Sequence, residues 1–394
     1  MMKPSVKTLA TMAAAVAAFA MPVGASAETI KLGLVTTFTT SAGAGGEATK
    51  RGVDLALEML GNKMGGHDIE LLVEDDGLKP EIGKQKTDKL ILQDRVDFLL
   101  GYNYSNVLLA SFPSAVENET FIISTNAGPH QLAGDYCNPW FFAVGFQNGQ
   151  APAAVGHVLN EAGTKSIYAL APNYAAGKDM VEGVISTFEG EVVGTSMTKW
   201  PDQLDFSSEL ASVRAADPEA VFVFYPPAHA LQFVTQYQQA GLKDTIPLYS
   251  VYTFDALTIP SIGEPAIGAQ MALFWSIDLE NEANRTFVEA FRAKYDRNPS
   301  NFAATAYDTV MLIDSVVRKL DGDMSDKDAV REALKAADFN SVRGNFRFGN
   351  NHFPIHDFYQ IEVVQGADGE LTTKIVKKVL SDFQDVYAGN CSMN

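Results

Sequence analysis

Apolar residues recur along this chain in two alternating rhythms, and the alternation predicts strands followed by helices. Residues 30–35 form a short, almost continuous apolar run of the buried-strand kind, and Val53, Ala56, Leu57 and Leu60 then fall on one face of a helix. Further strands are predicted over 69–73, 98–100 and 121–123, with helices over 80–93 and 107–116, and the acidic turn Glu74-Asp75-Asp76-Gly77 closes the second strand. A second series begins near Phe146. It gives helices over 153–159, 180–188, 210–214 and 231–239, interleaved with strands over 167–170, 192–195 and 221–224. After an apolar segment at 271–275 come three longer helical stretches, 286–295, 304–319 and 327–336, and strand-like segments at 346–348, 358–364 and 373–379. Strand–helix units repeating at about 30 residues imply parallel strands covered by helices on both faces. The expected fold class is therefore α/β, with two lobes, each a mostly parallel sheet flanked by helices. No Ser/Pro-rich linker separates the two series, so short crossings that act as hinges are expected.

The first 27 residues read as a secretory signal peptide. Lys3 and Lys7 begin it, residues 9–23 are almost uninterruptedly apolar, and Ala25-Ser26-Ala27 supplies the small residues that cleavage needs. A membrane anchor would need about 20 apolar residues, and this run ends sooner, in Pro22 and Gly24. A cut after Ala27 and residence in the periplasm of a Gram-negative bacterium are expected. No Cys follows the cut, so no lipid anchor is indicated. With 46% apolar and 20% charged residues in 394, the chain has material for more than one core. Net charge is −18, and loss of Lys3 and Lys7 makes it −20. Such an acidic surface disfavours nucleic acid and anionic membrane as partners. Cys137 and Cys391 are an even pair, which in an oxidising compartment invites a disulfide that would tie the C-terminal tail to the loop at 135–139.

Several local patterns, in this order and behind a signal peptide, resemble a known family. They are Ile30-Lys31-Leu32-Gly33, Gly52-Val53-Asp54-Leu55-Ala56, Glu74-Asp75-Asp76, Gly101 followed by Ser105, the Ser124 to Leu132 loop, Tyr174 with Gly177, and Gln239-Ala240-Gly241-Leu242. The chain is similar over nearly all of its mature length to the solute-binding proteins of ATP-driven importers, in the branch typified by the leucine/isoleucine/valine-binding protein. That resemblance implies a type I periplasmic binding fold with crossings near Val144, Trp275 and Pro354. The lobes would comprise residues 28–144 with 276–354, and 145–275 with 355–394. It also implies a small-molecule ligand, a membrane permease and ATPase as partners, a monomer, no cofactor and no enzymatic activity.

The resemblance points to particular residues. Ser105 opens a helix after a strand, where a hydroxyl and free amides meet the positive end of the helix dipole and can receive a carboxylate; a plain N-cap is the simpler alternative. Gly128 aligns with a family Thr whose amide meets the carboxylate, so the amide survives and the hydroxyl does not; a turn glycine before Pro129 is the alternative. Asn126 and Ala127 belong to the same loop. Tyr174 matches a tyrosine that closes over the ligand, and Tyr225 stands at the next strand mouth, although such tyrosines more often pack than bind. The family's glutamate that pairs with a ligand ammonium falls at Val251 or Tyr252, and its first-loop aromatic falls at Gly45. Unless Asp255 carries the charge, the ammonium site is lost while the carboxylate site is kept. Phe38, Tyr102, Tyr104, Tyr252 and Phe254 offer ring surface, so an organic acid, favoured as aromatic, is expected as ligand, with a branched-chain amino acid as the alternative.

Other classes are less well supported. Gly43, Gly45 and Ala48 make a G-x-G-x-x-A with Asp75 or Asp76 downstream, a weak dinucleotide signature because residues 36–42 intervene after the strand. No G-x-S-x-G elbow is present. His352 and His356 flank Pro354, which argues against a helix presenting both to a metal.

Overall fold

The computed structural model describes residues 1–2, 29–367 and 369–393; the predicted signal peptide from Lys3 onward, and its cut, lie outside them. The first lobe is built on β1 (Ile30–Thr36), β2 (Lys63–Met64), β3 (His67–Asp75), β4 (Phe98–Gly101), β5 (Phe121–Ser124) and β6 (Phe141–Ala143), in the order β2-β3-β1-β4-β5-β6. All neighbours are parallel except the β2–β3 pair. β4 and β5 are buried along their whole length, which is why they read as continuous apolar runs rather than alternating ones.

The second lobe carries β7 (Ser166–Pro172), β8 (Glu191–Thr198), β9 (Ala220–Val223), β10 (Leu248–Ser250), β11 (Gln270–Leu273), β12 (Arg347–Phe348), β13 (Pro354–Gln365) and β14 (Leu371–Phe383). Its order is β12-β13-β11-β10-β9-β7-β8, with β14 on β13. Strands β7 to β11 are parallel, and β13 joins them antiparallel. Between β11 and β12 the chain returns to the first lobe: the helix Asn301–Lys319 packs on the helix Gly43–Met59. A Cβ on Gly52 would sit 2.2 Å from the Ala303 carbonyl oxygen, so glycine lets the two helices approach. The chain thus passes between the sheets three times.

The crossings are tied together by buried polar groups. Arg343 donates from Nη1 to the Gly145 carbonyl at 3.0 Å and from Nε to Asp308 Oδ2 at 3.1 Å, with its guanidinium over the Phe274 and Phe346 rings. Gln150 Nε2 donates to the Pro354 carbonyl at 3.1 Å.

The periodicity located the main elements and missed the smallest. β2, β6 and the helix His130–Ala133 are two to four residues long, too short to show a period. The helix expected over 80–93 ends at Lys89 and continues as one π-turn to Asp94, closed by Arg95 at φ 54°. β13 and β14 run longer than expected, because their outer ends carry Pro354, His356 and Asp357 in one strand and Ser381 and Asp382 in the other, which break the apolar alternation.

Cys137 and Cys391 are bonded, with Cα atoms 5.6 Å apart, and Asn350 Nδ2 donates to the Ala388 carbonyl beside them. A non-reducing peptide map of exported protein should yield one linked Cys137–Cys391 peptide, and reduction should lower stability by about 2–4 kcal/mol. Two freely alkylating thiols would refute the bridge.

Candidate functional site: a cleft between the lobes

The carboxyl ends of β4 and β5 from one sheet, and of β7, β9 and β10 from the other, converge on one narrow cavity. Tyr104, Ser105, Asn126, Ala127, Tyr174 and Tyr252 line it, as expected from the sequence, joined by Asn103, Phe146, Asn148, Met180, Asp255 and Phe302. The helices Ser105–Glu117, Ala175–Thr187, Pro227–Gln239 and Asn301–Lys319 all begin at this cavity, so several positive dipole ends point into it.

Ser105 is the first residue of its helix rather than the cap. That place belongs to Tyr104, whose extended backbone (φ −121°, ψ 130°) precedes the first turn, so the Ser105 hydroxyl is not spent on capping. Its oxygen accepts from Asn148 Nδ2 at 3.2 Å, which leaves the hydroxyl proton free to donate. Asn148 also donates to Asp179 Oδ2 at 2.8 Å and accepts from the Gly128 amide at 3.1 Å.

The Gly128 amide is therefore turned to Asn148, and Gly128 does not line the cavity. A Cβ there would lie 1.7 Å from the Phe146 carbonyl oxygen. Close passage of the crossing segment, not turn geometry, requires the glycine. Three other expected positions also lie elsewhere. Tyr102 is fully buried with its hydroxyl 2.8 Å from Thr87 Oγ1. Tyr225 is buried inside the second lobe against Phe206 and Phe233, with ring centroids 5.0 and 5.1 Å away. Phe254 faces a separate, more open pocket with Leu273 and Trp275. Each stands at a strand end as expected, but the Tyr102 and Tyr225 side chains point into their own lobes and Phe254 turns to the other pocket.

Rings enclose the cavity from both sides. Tyr174 stacks on Trp200 at 5.0 Å, and Tyr104 of the other lobe lies 6.4 Å from Tyr174 and 5.8 Å from Trp200. Tyr252 stacks on Phe146 at 4.5 Å and has φ 56°, a left-handed conformation that a bulky residue adopts only when its surroundings hold it there. The Phe302 ring approaches to 3.2 Å of where a Gly45 Cβ would be, so the ring absent at Gly45 is supplied from a distant helix. Burial pushes the Tyr104 and Tyr174 phenols up, and both stay neutral. Phe146, Trp200 and Phe302 were not found from sequence. Trp200, in the turn between β8 and the next helix, had the only available signal, a large ring beside a proline at a strand end.

Asp255 is the one charged side chain among the described residues that line the cavity. It is 6% exposed, its Oδ1 accepts from the Leu257 amide at 2.8 Å, and burial pushes its carboxyl up to about 7. Asn103 Nδ2, Tyr252 Oη and Asn301 Oδ1 are buried without a partner, hydrogen-bonding capacity that a ligand or water can take up. The lining therefore combines apolar ring surface with neutral polar groups, the complement of a small molecule with an apolar body and a polar end.

The rival chemistries find little footing. Gly43, Gly45 and Gly46 lie inside the helix Gly43–Met59, and a Gly46 Cβ would meet the Thr37 carbonyl oxygen at 1.8 Å. These glycines bring the helix onto its own approach loop rather than forming a strand-end phosphate turn. His352 Nδ1 lies 3.0 Å from the Phe141 carbonyl oxygen, and His356 is buried with its ring stacked on Phe274. Among the described residues no cluster of metal-ligating side chains occurs, and no helix is long and apolar enough to cross a membrane.

Two α/β lobes whose strand ends meet at one enclosed cavity define a solute-binding protein of the type I class. The chain belongs to the periplasmic binding protein family, whose model matches residues 29–369. It is similar to a Leu/Ile/Val-binding protein homolog 6 of Brucella melitensis, 24% identical over 375 residues that cover 92% of this chain and 95% of that one. Among solved structures, it is similar to an ABC-transporter solute-binding protein from R. palustris in complex with benzoate, with TM-score 0.86, 30% identity, and coverage of 93% of this chain and 100% of that one. An ABC transporter substrate-binding protein from Sphaerobacter thermophilus gives TM-score 0.85 and 33% identity, covering 91% and 100%. The protein is thus an ABC-transporter substrate-binding protein, of a class that binds small solutes and delivers them to a permease.

Proposed function

We propose that this protein captures a small aromatic carboxylate in the periplasm, by closure of its lobes, for an ABC importer. The Ser105 hydroxyl, with Asn126 beside it, receives the carboxylate, and Tyr104, Tyr174, Tyr252 and Phe302 enclose the ring. The lobes divide into residues 28–144 with 276–354 and 145–275 with 355–394, apart from the two-residue β12, which already lies on the second sheet, and the mature chain starts after Ala27. The observation that carries the ligand class is the pairing of ring-lined walls and neutral donors with a single acid held up to about 7 by burial. Such an acid is a poor fixed counter-ion for an ammonium. The similarity to a benzoate-bound protein supports the same reading.

The competing reading is a branched-chain amino acid whose ammonium meets ionised Asp255. It is favoured by the position of Asp255 on the cavity wall. The two readings have opposite pH signatures. An anion bound near Asp255 raises its carboxyl further, so the complex binds more protons than the free protein and affinity falls as pH rises through about 7. An ammonium lowers the carboxyl, releases a proton on binding, and makes affinity rise across the same range.

Calorimetric titration with benzoate and with leucine, in wild type and Asp255→Asn, decides between them. For the aromatic reading, benzoate binds, and the part of its falling slope due to Asp255 disappears in the variant. Tight leucine binding that rises with pH and is abolished in Asp255→Asn would overturn it.

A further inference from the structure

We infer that His130 and Asp179 form a latch that holds the two lobes shut, and that Asn148 connects this latch to the ligand-facing hydroxyl of Ser105. The inference rests on the reading that the lobes close over a ligand. His130 opens the short helix His130–Ala133 after β5 of the first lobe, and Asp179 lies on the helix Ala175–Thr187 of the second. His130 Nδ1 is 2.6 Å from Asp179 Oδ1, and the His130 amide donates to Asp179 Oδ2 at 3.1 Å. Asn148, on the first crossing, donates from Nδ2 to the same Oδ2 at 2.8 Å and to Ser105 Oγ at 3.2 Å. Asp179 is only 2% exposed, so these donors, and not bulk water, solvate its carboxylate in the closed form. Opening separates His130 from Asp179 and lets water replace the first lobe's donors.

The connection to the site follows from the same atoms. Asn148 is aimed by Asp179, and Asn148 in turn holds the Ser105 oxygen so that its proton is left for a ligand. A ligand that uses this hydroxyl binds best when the latch is made, which is the differential affinity that closure requires.

The latch has a sign with respect to pH. The groups facing His130 are Asp179 and Glu182 from the second-lobe helix, Asp135 from the loop after its own helix, and the Tyr387 ring of the C-terminal tail at 5.3 Å. These are acidic or neutral, and the hydrogen bond to Asp179 holds the imidazole above its ordinary value. In the open form Asp179 is gone and the value falls back. Closure is therefore favoured in full below the ordinary histidine range, and the benefit fades as pH rises through the higher, closed-state value.

The test measures inter-lobe distance on ligand-free protein by pulsed electron resonance between one spin label per lobe, at about pH 6 and about pH 8.5. Wild type should shift toward the open distance as pH rises. His130→Gln, at a half-buried position, should give the open-leaning distribution at both values. It should also weaken benzoate about tenfold at the lower pH, with little effect at the higher. Asp179→Asn should behave likewise if it folds. A His130→Gln distribution identical to wild type at the lower pH would overturn the latch. Failure of benzoate to bind while the ligand-free distances respond as stated would remove the ligand reading and leave the latch standing.

Discussion

Replacement of Arg343 by Met should destabilise the protein by about 3–5 kcal/mol, the cost of leaving a buried charge without its partner. Asp308 is fully buried, and its carboxylate is held by the Arg343 guanidinium, the Ser341 hydroxyl at 2.6 Å and the Val342 amide at 3.0 Å. Methionine keeps much of the volume between Phe274 and Phe346 but removes the charge and the bond to the Gly145 carbonyl. Urea denaturation followed by circular dichroism would read the loss as a lower midpoint. The double variant Arg343→Met with Asp308→Asn should recover most of it, because no ionised group is then stranded. The deficit of the single variant should shrink on acidification. Burial already pushes the Asp308 carboxyl up, and without Arg343 it rises further, so protonation relieves the stranded charge. A loss below about 1 kcal/mol would show that the pair is dispensable. Since Arg343 touches the first crossing at Gly145 and the second at Phe274, the variant should also loosen the hinge region.

The largest expected effect on binding is at Ser105. Ser105→Ala should weaken benzoate by about 1.5–3 kcal/mol, the range for a hydrogen bond to a charged group. The argument is geometric: the Ser105 oxygen already accepts from Asn148, the residue is 1% exposed and lines the cavity, and its proton has no partner of its own. Replacing benzoate by benzamide in the wild type should cost a comparable amount, and in Ser105→Ala the two changes should cost less than their sum, as expected for one shared interaction. Strict additivity would place the carboxylate elsewhere. Fluorescence is a convenient readout, because Trp200 stacks on Tyr174 at the junction of the lobes.

Alternating strands and helices were legible because burial on both faces makes parallel strands continuously apolar, and one-sided burial gives helices their stripe. That pattern, with the order of local motifs, sufficed for the α/β class, for two sheets and for the loops that line the cavity. Side-chain direction was not legible. Tyr102 and Tyr225 sit at the right strand ends yet turn into their own lobes, where Thr87 in one case and Phe206 and Phe233 in the other receive them.

Nor could any local pattern foretell contacts between segments far apart in the chain. Asn148 reaches Ser105 and Asp179, Phe302 fills the space over Gly45, and His130 meets Asp179 across the lobes. The amino-acid sequence by itself determined the elements, their order and the loops that carry the site, because these follow from the periodicity of burial along a local stretch. Only the tertiary structure decided which rings face the cavity, that the Gly128 amide is turned to Asn148, and that Asp255 lies buried on the cavity wall. Those outcomes depend on how surfaces from separate segments pack, and packing is a property of the assembled lobes rather than of any one stretch of chain.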